Sequence, residues 1–136
     1  MARKGEIRVL AVFFLVWLAG SASAATGTVV SDHHLASEVG ARVLREGGNA
    51  VDAAVATAFA LAVVLPSAGN VGGGGFLVHH GAEGNVTTFD FREKAPLAAT
   101  ETMFLDENGA LPENANHEGP LTVGGPGTVA GLGEAH

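Results

Sequence analysis

The stretch Asp90-Phe91-Arg92-Glu93-Lys94-Ala95-Pro96 holds the residues best suited to chemistry. From Glu46 to His136 the only Lys or Arg residues are Arg92 and Lys94, and all other formally charged residues there are acidic. Two cations at the end of an alternating segment, in anionic surroundings, mark a place where a negative group can be held. A guanidinium is planar and grips a carboxylate through two parallel hydrogen bonds, which the point charge of an ammonium does not reproduce. The residues also leave a plainer arrangement open. Asp90 shares a strand face with Arg92, and Glu93 adjoins it, so either could draw the arginine into a structural ion pair.

Other candidate motifs lack what their chemistry needs. Gly72 to Gly75 is followed by Phe76 and Leu77, where a phosphate loop would require Lys and Ser or Thr. The glycines then read as close backbone packing or unusual backbone angles between a helix and a strand. Gly125-Pro-Gly127-Thr-Val-Ala130 formally fits a dinucleotide fingerprint but lacks the preceding strand of a βαβ unit, and it reads as a tight turn into a helix. Six histidines include the adjacent pairs His33-His34 and His79-His80, whose side chains would diverge on a strand, and no i, i+4 pair or Cys/His cluster supports a metal site. Absence of cysteine excludes a thiol nucleophile and a disulfide framework within these residues. Thr87-Thr88 resembles a nucleophile pair, but it sits inside a predicted strand that cleavage would destroy. Asn85-Val86-Thr87 is a glycosylation sequon, relevant only in a eukaryotic secretory pathway.

The elements that would position Arg92 follow from periodicity. Thr28 to Ser31 is a short strand candidate. Leu35 to Glu46 is helical, with Leu35, Val39 and Val43 on one line. Gly47-Gly48 ends that helix, and Asn49 caps a second, with Asp52 near its positive end. The second helix, Ala50 to Leu65, is apolar on every face and must be covered all round. Pro66 stops it. Phe76 to His80 and Val86 to Arg92 form a β-hairpin with a loop of about five residues. Alternation places Phe89 and Phe91 towards a core, and Thr88, Asp90 and Arg92 on the opposite face. Asp106-Glu-Asn-Gly109 is a turn, Leu111 to Pro120 a polar surface loop, and Thr128 to His136 a helix.

The first 24 residues read as a signal peptide. Arg3, Lys4 and Arg8 precede the apolar run Val9 to Leu18, and Ala22-Ser23-Ala24 is a small-residue cleavage site. The run is shorter than the ~20 residues a membrane span needs. The protein is therefore expected to be exported, with residues 25–136 as the mature part. That part has four cations against thirteen anions, a formal charge of −9 with histidines neutral. Nucleic acid and anionic membranes are poor partners for such a chain. The all-round apolar helix, with little else to cover it, leads to the expectation that residues 25–136 are the N-terminal part of a larger domain.

Five blocks together resemble the N-terminal part of γ-glutamyltranspeptidase precursors. They are Leu35-Ala-Ser-Glu38 with Gly40, Leu44-Arg-Glu-Gly-Gly-Asn-Ala-Val-Asp-Ala-Ala54, Gly72-Gly-Gly-Gly-Phe76, Asp90-Phe-Arg-Glu-Lys-Ala-Pro96, and Gly125-Pro-Gly-Thr-Val-Ala-Gly131 running to Glu134-Ala-His136. The resemblance implies an α+β fold, part of the αββα sandwich of N-terminal-nucleophile hydrolases. It implies a precursor that cuts itself into two subunits. The new N-terminal threonine of the small subunit attacks a γ-glutamyl bond, commonly that of glutathione, and passes the γ-glutamyl group to water, an amino acid or a peptide. No cofactor or metal is implied. In the resemblance Arg92 stands where the family's arginine binds the donor's α-carboxylate, while the nucleophile and oxyanion-hole glycines match nothing in these residues. His33-His34 stands where His-Pro is common, and Asn70 where a small residue is common. Related acylases and poly-γ-glutamate-processing enzymes share the scaffold, and a non-catalytic exported binding domain is a reading of a different class.

Overall fold

The computed structural model describes residues 27–136. The leader expected over residues 1–24 lies outside them. The order of elements is α1 (His34–Arg45), α2 (Ala50–Val64), β1 (Phe76–His80), β2 (Val86–Asp90), a 3-10 turn (Pro120–Thr122) and α3 (Thr128–Ala135). Residues 28–31 form no strand; among the described residues the only sheet is the two-stranded one. A strand needs an edge to pair with, and Thr28–Ser31 pairs with neither edge of that sheet.

The two first helices form a hairpin held at its corner by local chemistry. At the end of α1, Gly47 adopts φ +96°, its N–H donates to Leu44 O at 3.2 Å, and the Gly48 N–H donates to Val43 O at 3.0 Å. This is the left-handed glycine stop predicted from Gly47-Gly48, in its Schellman form. Asn49 then starts α2. Its Oδ1 accepts from Val51 N at 2.7 Å and Asp52 N at 3.1 Å, and Asp52 Oδ2 accepts from Asn49 N at 2.8 Å, completing a capping box. Asn49→Ala leaves these donors to water and is expected to cost about 1 kcal/mol, read as a lower denaturant midpoint at constant slope.

Small residues let the helices approach. Ala36 and Gly40 of α1 are buried, as are Ala53 and Thr57 of α2. The Thr57 hydroxyl would be costly there unpaired; it donates to Ala53 O at 2.7 Å. The rest of α2 is less covered, with Val63 79% exposed and Phe59 38% exposed. Among the described residues the buried hydrophobics are only Ala36, Ala53 and Leu132, which is the shortage of cover the all-apolar pattern predicts. None of the helices among them is long and apolar enough to cross a membrane.

The hairpin pairs antiparallel, Phe76 with Asp90, Leu77 with Phe89, Val78 with Thr88, His79 with Thr87 and His80 with Val86. Its loop, residues 81–85, is closed by Gly81 N to Asn85 O at 2.8 Å, with Gly84 at φ +86°. Further on, Asp106 Oδ1 accepts from Asn108 N at 2.8 Å and Ala110 N at 2.9 Å, and Gly109 takes φ +75°. The Ala110 and Asn108 N–H groups hold the Asp106 carboxyl below its usual pKa.

Candidate functional site

Arg92 leaves β2 where the chain is gripped from two sides. Assigned strand structure ends at Asp90, yet the ladder runs one pair further, with Phe91 N to Gly75 O at 3.0 Å and Gly75 N to Phe91 O at 3.4 Å. Beyond Arg92, Lys94 and Gly125 exchange two backbone bonds, Lys94 N to Gly125 O at 3.2 Å and Gly125 N to Lys94 O at 2.7 Å. Residues 91–94 are thus strung between the glycine run and the segment leading into α3. Lys94 contributes through its backbone.

The glycines make the grip possible. A Cβ on Gly74 would stand 2.5 Å from Phe91 O and 2.6 Å from Glu93 N, closer than any side chain tolerates. A Cβ on Gly127 would overlap Phe91 O, and one on Gly131 would overlap the Phe91 ring. The Gly73 carbonyl accepts from Gly127 N at 2.8 Å and Thr128 N at 3.0 Å, so two N–H groups at the start of α3 are satisfied by backbone. Each of the two glycine motifs gives N–H groups to backbone carbonyls, Gly75 in the first and Gly127 and Thr128 in the second. Both are used in packing the exit of β2 against its neighbours.

Alternation sorts the side chains as expected. Phe89 and Phe91 are half-buried, while Thr88, Asp90 and Arg92 are exposed. Phe91 and Glu93 border a cleft of about 490 Å³ that also meets Leu61 of α2, Asn70, and Thr128 and Leu132 of α3. Arg92, between them in sequence, is not among its lining residues. Its side chain is 69% exposed, with Nε 3.4 Å from Glu93 Oε2. Of the two ion-pair partners open to it, the guanidinium takes Glu93. Asp90 accepts the backbone N–H of Arg92 instead, at 3.1 Å. An exposed pair of this kind is worth about 0–1 kcal/mol. A fork-to-fork carboxylate contact is worth more, at about 1.5–3 kcal/mol per charge-assisted bond.

The histidines depart from expectation in one respect. His33 and His34 do not diverge, because they begin a helix rather than lie on a strand. Their rings stack with centroids 4.8 Å apart, and His33 Nδ1 accepts from Leu35 N at 3.3 Å as the cap of α1. Among the described residues no three His, Cys, Asp or Glu side chains gather as a metal site would require. Periodicity gave no warning of the clamp on Phe91 by Gly127 and Gly131. The usable signal was the clustering of glycines at 72–75 and 124–131.

An α+β chain with this order of elements has close counterparts among solved proteins. The γ-glutamyltranspeptidase of Helicobacter pylori matches with a TM-score of 0.76 and 59% identity, over 78% of this chain and 30% of that one. That of Pseudomonas nitroreducens, complexed with L-DON, matches with a TM-score of 0.79 and 51% identity, over 82% of this chain and 33% of that one. The family model described as Gamma-glutamyltranspeptidase matches residues 36–136. The chain belongs to the γ-glutamyltranspeptidase family. A curated relative, the glutathione hydrolase proenzyme of Pseudomonas sp. (strain A14), is 57% identical over 109 residues, which are 80% of this chain and 19% of the relative. The chain spans about a fifth of the length of the curated relatives it matches.

Proposed function

We propose that this chain is the N-terminal part of an exported γ-glutamyltransferase/glutathione hydrolase precursor, and that Arg92 binds the α-carboxylate of the γ-glutamyl donor. The observation that carries the reading is an exposed guanidinium on a backbone pinned on both sides, in a chain of this family. Holding the backbone fixes where the side chain starts, so only its own rotamers remain to be ordered when it binds. Holding the α-carboxylate fixes one end of the glutamyl group and so aims its γ-carbonyl at the nucleophile.

The nucleophile belongs to residues beyond these 136. As the resemblance implies, it is the threonine exposed when the precursor cuts itself into a large and a small subunit, and its own α-amine serves as its base. Its hydroxyl oxygen adds to the γ-carbonyl, the amine of the donor leaves, and the acyl-enzyme is resolved by water, an amino acid or a peptide. Acyl transfer of this kind requires no cofactor or metal. Residues 1–24 act as the signal peptide that delivers the precursor to the periplasm or the extracellular space. Residues 25–136 begin the large subunit, and the rest of the precursor covers the exposed faces of α2. No nucleic acid takes part.

Expression of the full-length precursor tests the reading. Two subunits should appear on a denaturing gel, together with release of glutamate from glutathione, whereas residues 25–136 alone should release none. A full-length protein that cleaves no γ-glutamyl bond would contradict it.

A further inference from the structure

Between Phe91 and Lys94 the chain changes partner. Phe91 is bonded to Gly75 beside β1, and Lys94 to Gly125 ahead of α3. Arg92 sits in the crossover, and its N–H donates to the carboxylate two residues back, Asp90 Oδ1, at 3.1 Å. This is the link by which Asp or Asn mimics a backbone turn. The arrangement is specific in what it leaves out. Asp90 lies on the same face as Arg92 and carries the opposite charge, yet the guanidinium contacts Glu93.

We infer that Asp90 is a positioning residue for the donor carboxylate. Its side-chain oxygen latches the backbone at the crossover and so sets the direction in which Arg92 presents its guanidinium. The inference rests on the proposed role of Arg92. Arg92 carries a long side chain, so a rotation of the Phe91–Arg92 peptide becomes a larger displacement at the guanidinium. A displaced fork no longer makes both of its parallel hydrogen bonds to the carboxylate. Stability should respond little, because Asp90 is exposed and water can take the freed N–H. Asp90 thus acts through the geometry of Arg92, and what it needs is an acceptor oxygen at the right distance. Its charge is secondary.

Steady-state kinetics of the full-length, self-processed protein with a γ-glutamyl anilide donor provide the test. Asp90→Ala is expected to raise the donor KM by about fivefold to tenfold, the range of one lost hydrogen bond, with a much smaller change in kcat and no change in melting temperature. Asp90→Asn keeps an oxygen at the same distance and should recover most of the loss. Asp90→Glu keeps the charge, moves the oxygen by one bond, and should behave like alanine. In an Arg92→Ala background, Asp90→Ala should add nothing, since the two residues act as one unit. The latch is overturned if Asn is as poor as Ala, if Asp90→Ala leaves KM unchanged, or if its effect persists without Arg92. Failure of the underlying reading looks different: Arg92→Ala alone would then leave donor KM unchanged.

Discussion

Arg92→Ala in the full-length, self-processed protein is expected to lower kcat/KM for a γ-glutamyl donor by tenfold to a hundredfold or more. The magnitude follows from the bonds removed. Charge-assisted hydrogen bonds contribute about 1.5–3 kcal/mol each, and every 1.4 kcal/mol is about tenfold. The loss should not be offset by relief of the Arg92–Glu93 pair, because that contact is exposed and weak. Arg92→Lys should also be impaired, since an ammonium keeps the charge and loses the fork. Folding should be nearly untouched, as the side chain is 69% exposed. Kinetics indistinguishable from the wild type in Arg92→Ala would remove the role assigned to this residue.

Gly127→Ala should have the second largest effect, and it acts at a distance from the guanidinium. The added methyl would overlap the carbonyl oxygen of Phe91. A backbone oxygen cannot swing aside as a side chain can. Either α3 retreats from Gly73, breaking the bonds of Gly127 and Thr128 to its carbonyl, or the Phe91–Arg92 peptide turns. Overpacking of this kind costs about 1–3 kcal/mol, and the second route also re-aims Arg92. The expected result is a lower melting temperature together with a donor KM raised about tenfold. Gly125→Ala is the control. Its methyl would stand 3.4 Å from Lys94 O, so the neighbour needs to give very little. Calorimetry and donor kinetics on both variants decide the matter, and a Gly127→Ala protein with the wild-type melt and KM would show that the clamp has slack.

Local features of the fold were legible in the sequence because their causes are local. The glycine stop at Gly47, the Asn49 cap with Asp52, and the sorting of Phe89 and Phe91 away from Arg92 each depend on a few adjacent residues. The strand expected at Thr28–Ser31 failed for the opposite reason. Extended, β-branched residues become a strand only when an edge meets them, and that is a property of distant chain. The grip on Arg92 was hidden in the same way. Gly74, Gly75, Gly125, Gly127 and Gly131 act on Phe91 and Lys94 across long sequence separations, and periodicity does not report which glycine meets which carbonyl. The Asp90 link to Arg92 N was local, but the residue types left it in competition with an ion pair. Only the backbone direction at the crossover separates the two.

The central claim is that Arg92 recognises the α-carboxylate of the donor. Comparing a γ-glutamyl donor with its α-carboxamide analogue, in the wild-type and Arg92→Ala full-length proteins, tests it most directly. The wild type should prefer the carboxylate by tenfold or more in kcat/KM, and Arg92→Ala should lose most of that preference while retaining turnover of the analogue. A preference that survives intact in Arg92→Ala would mean that the carboxylate is held elsewhere.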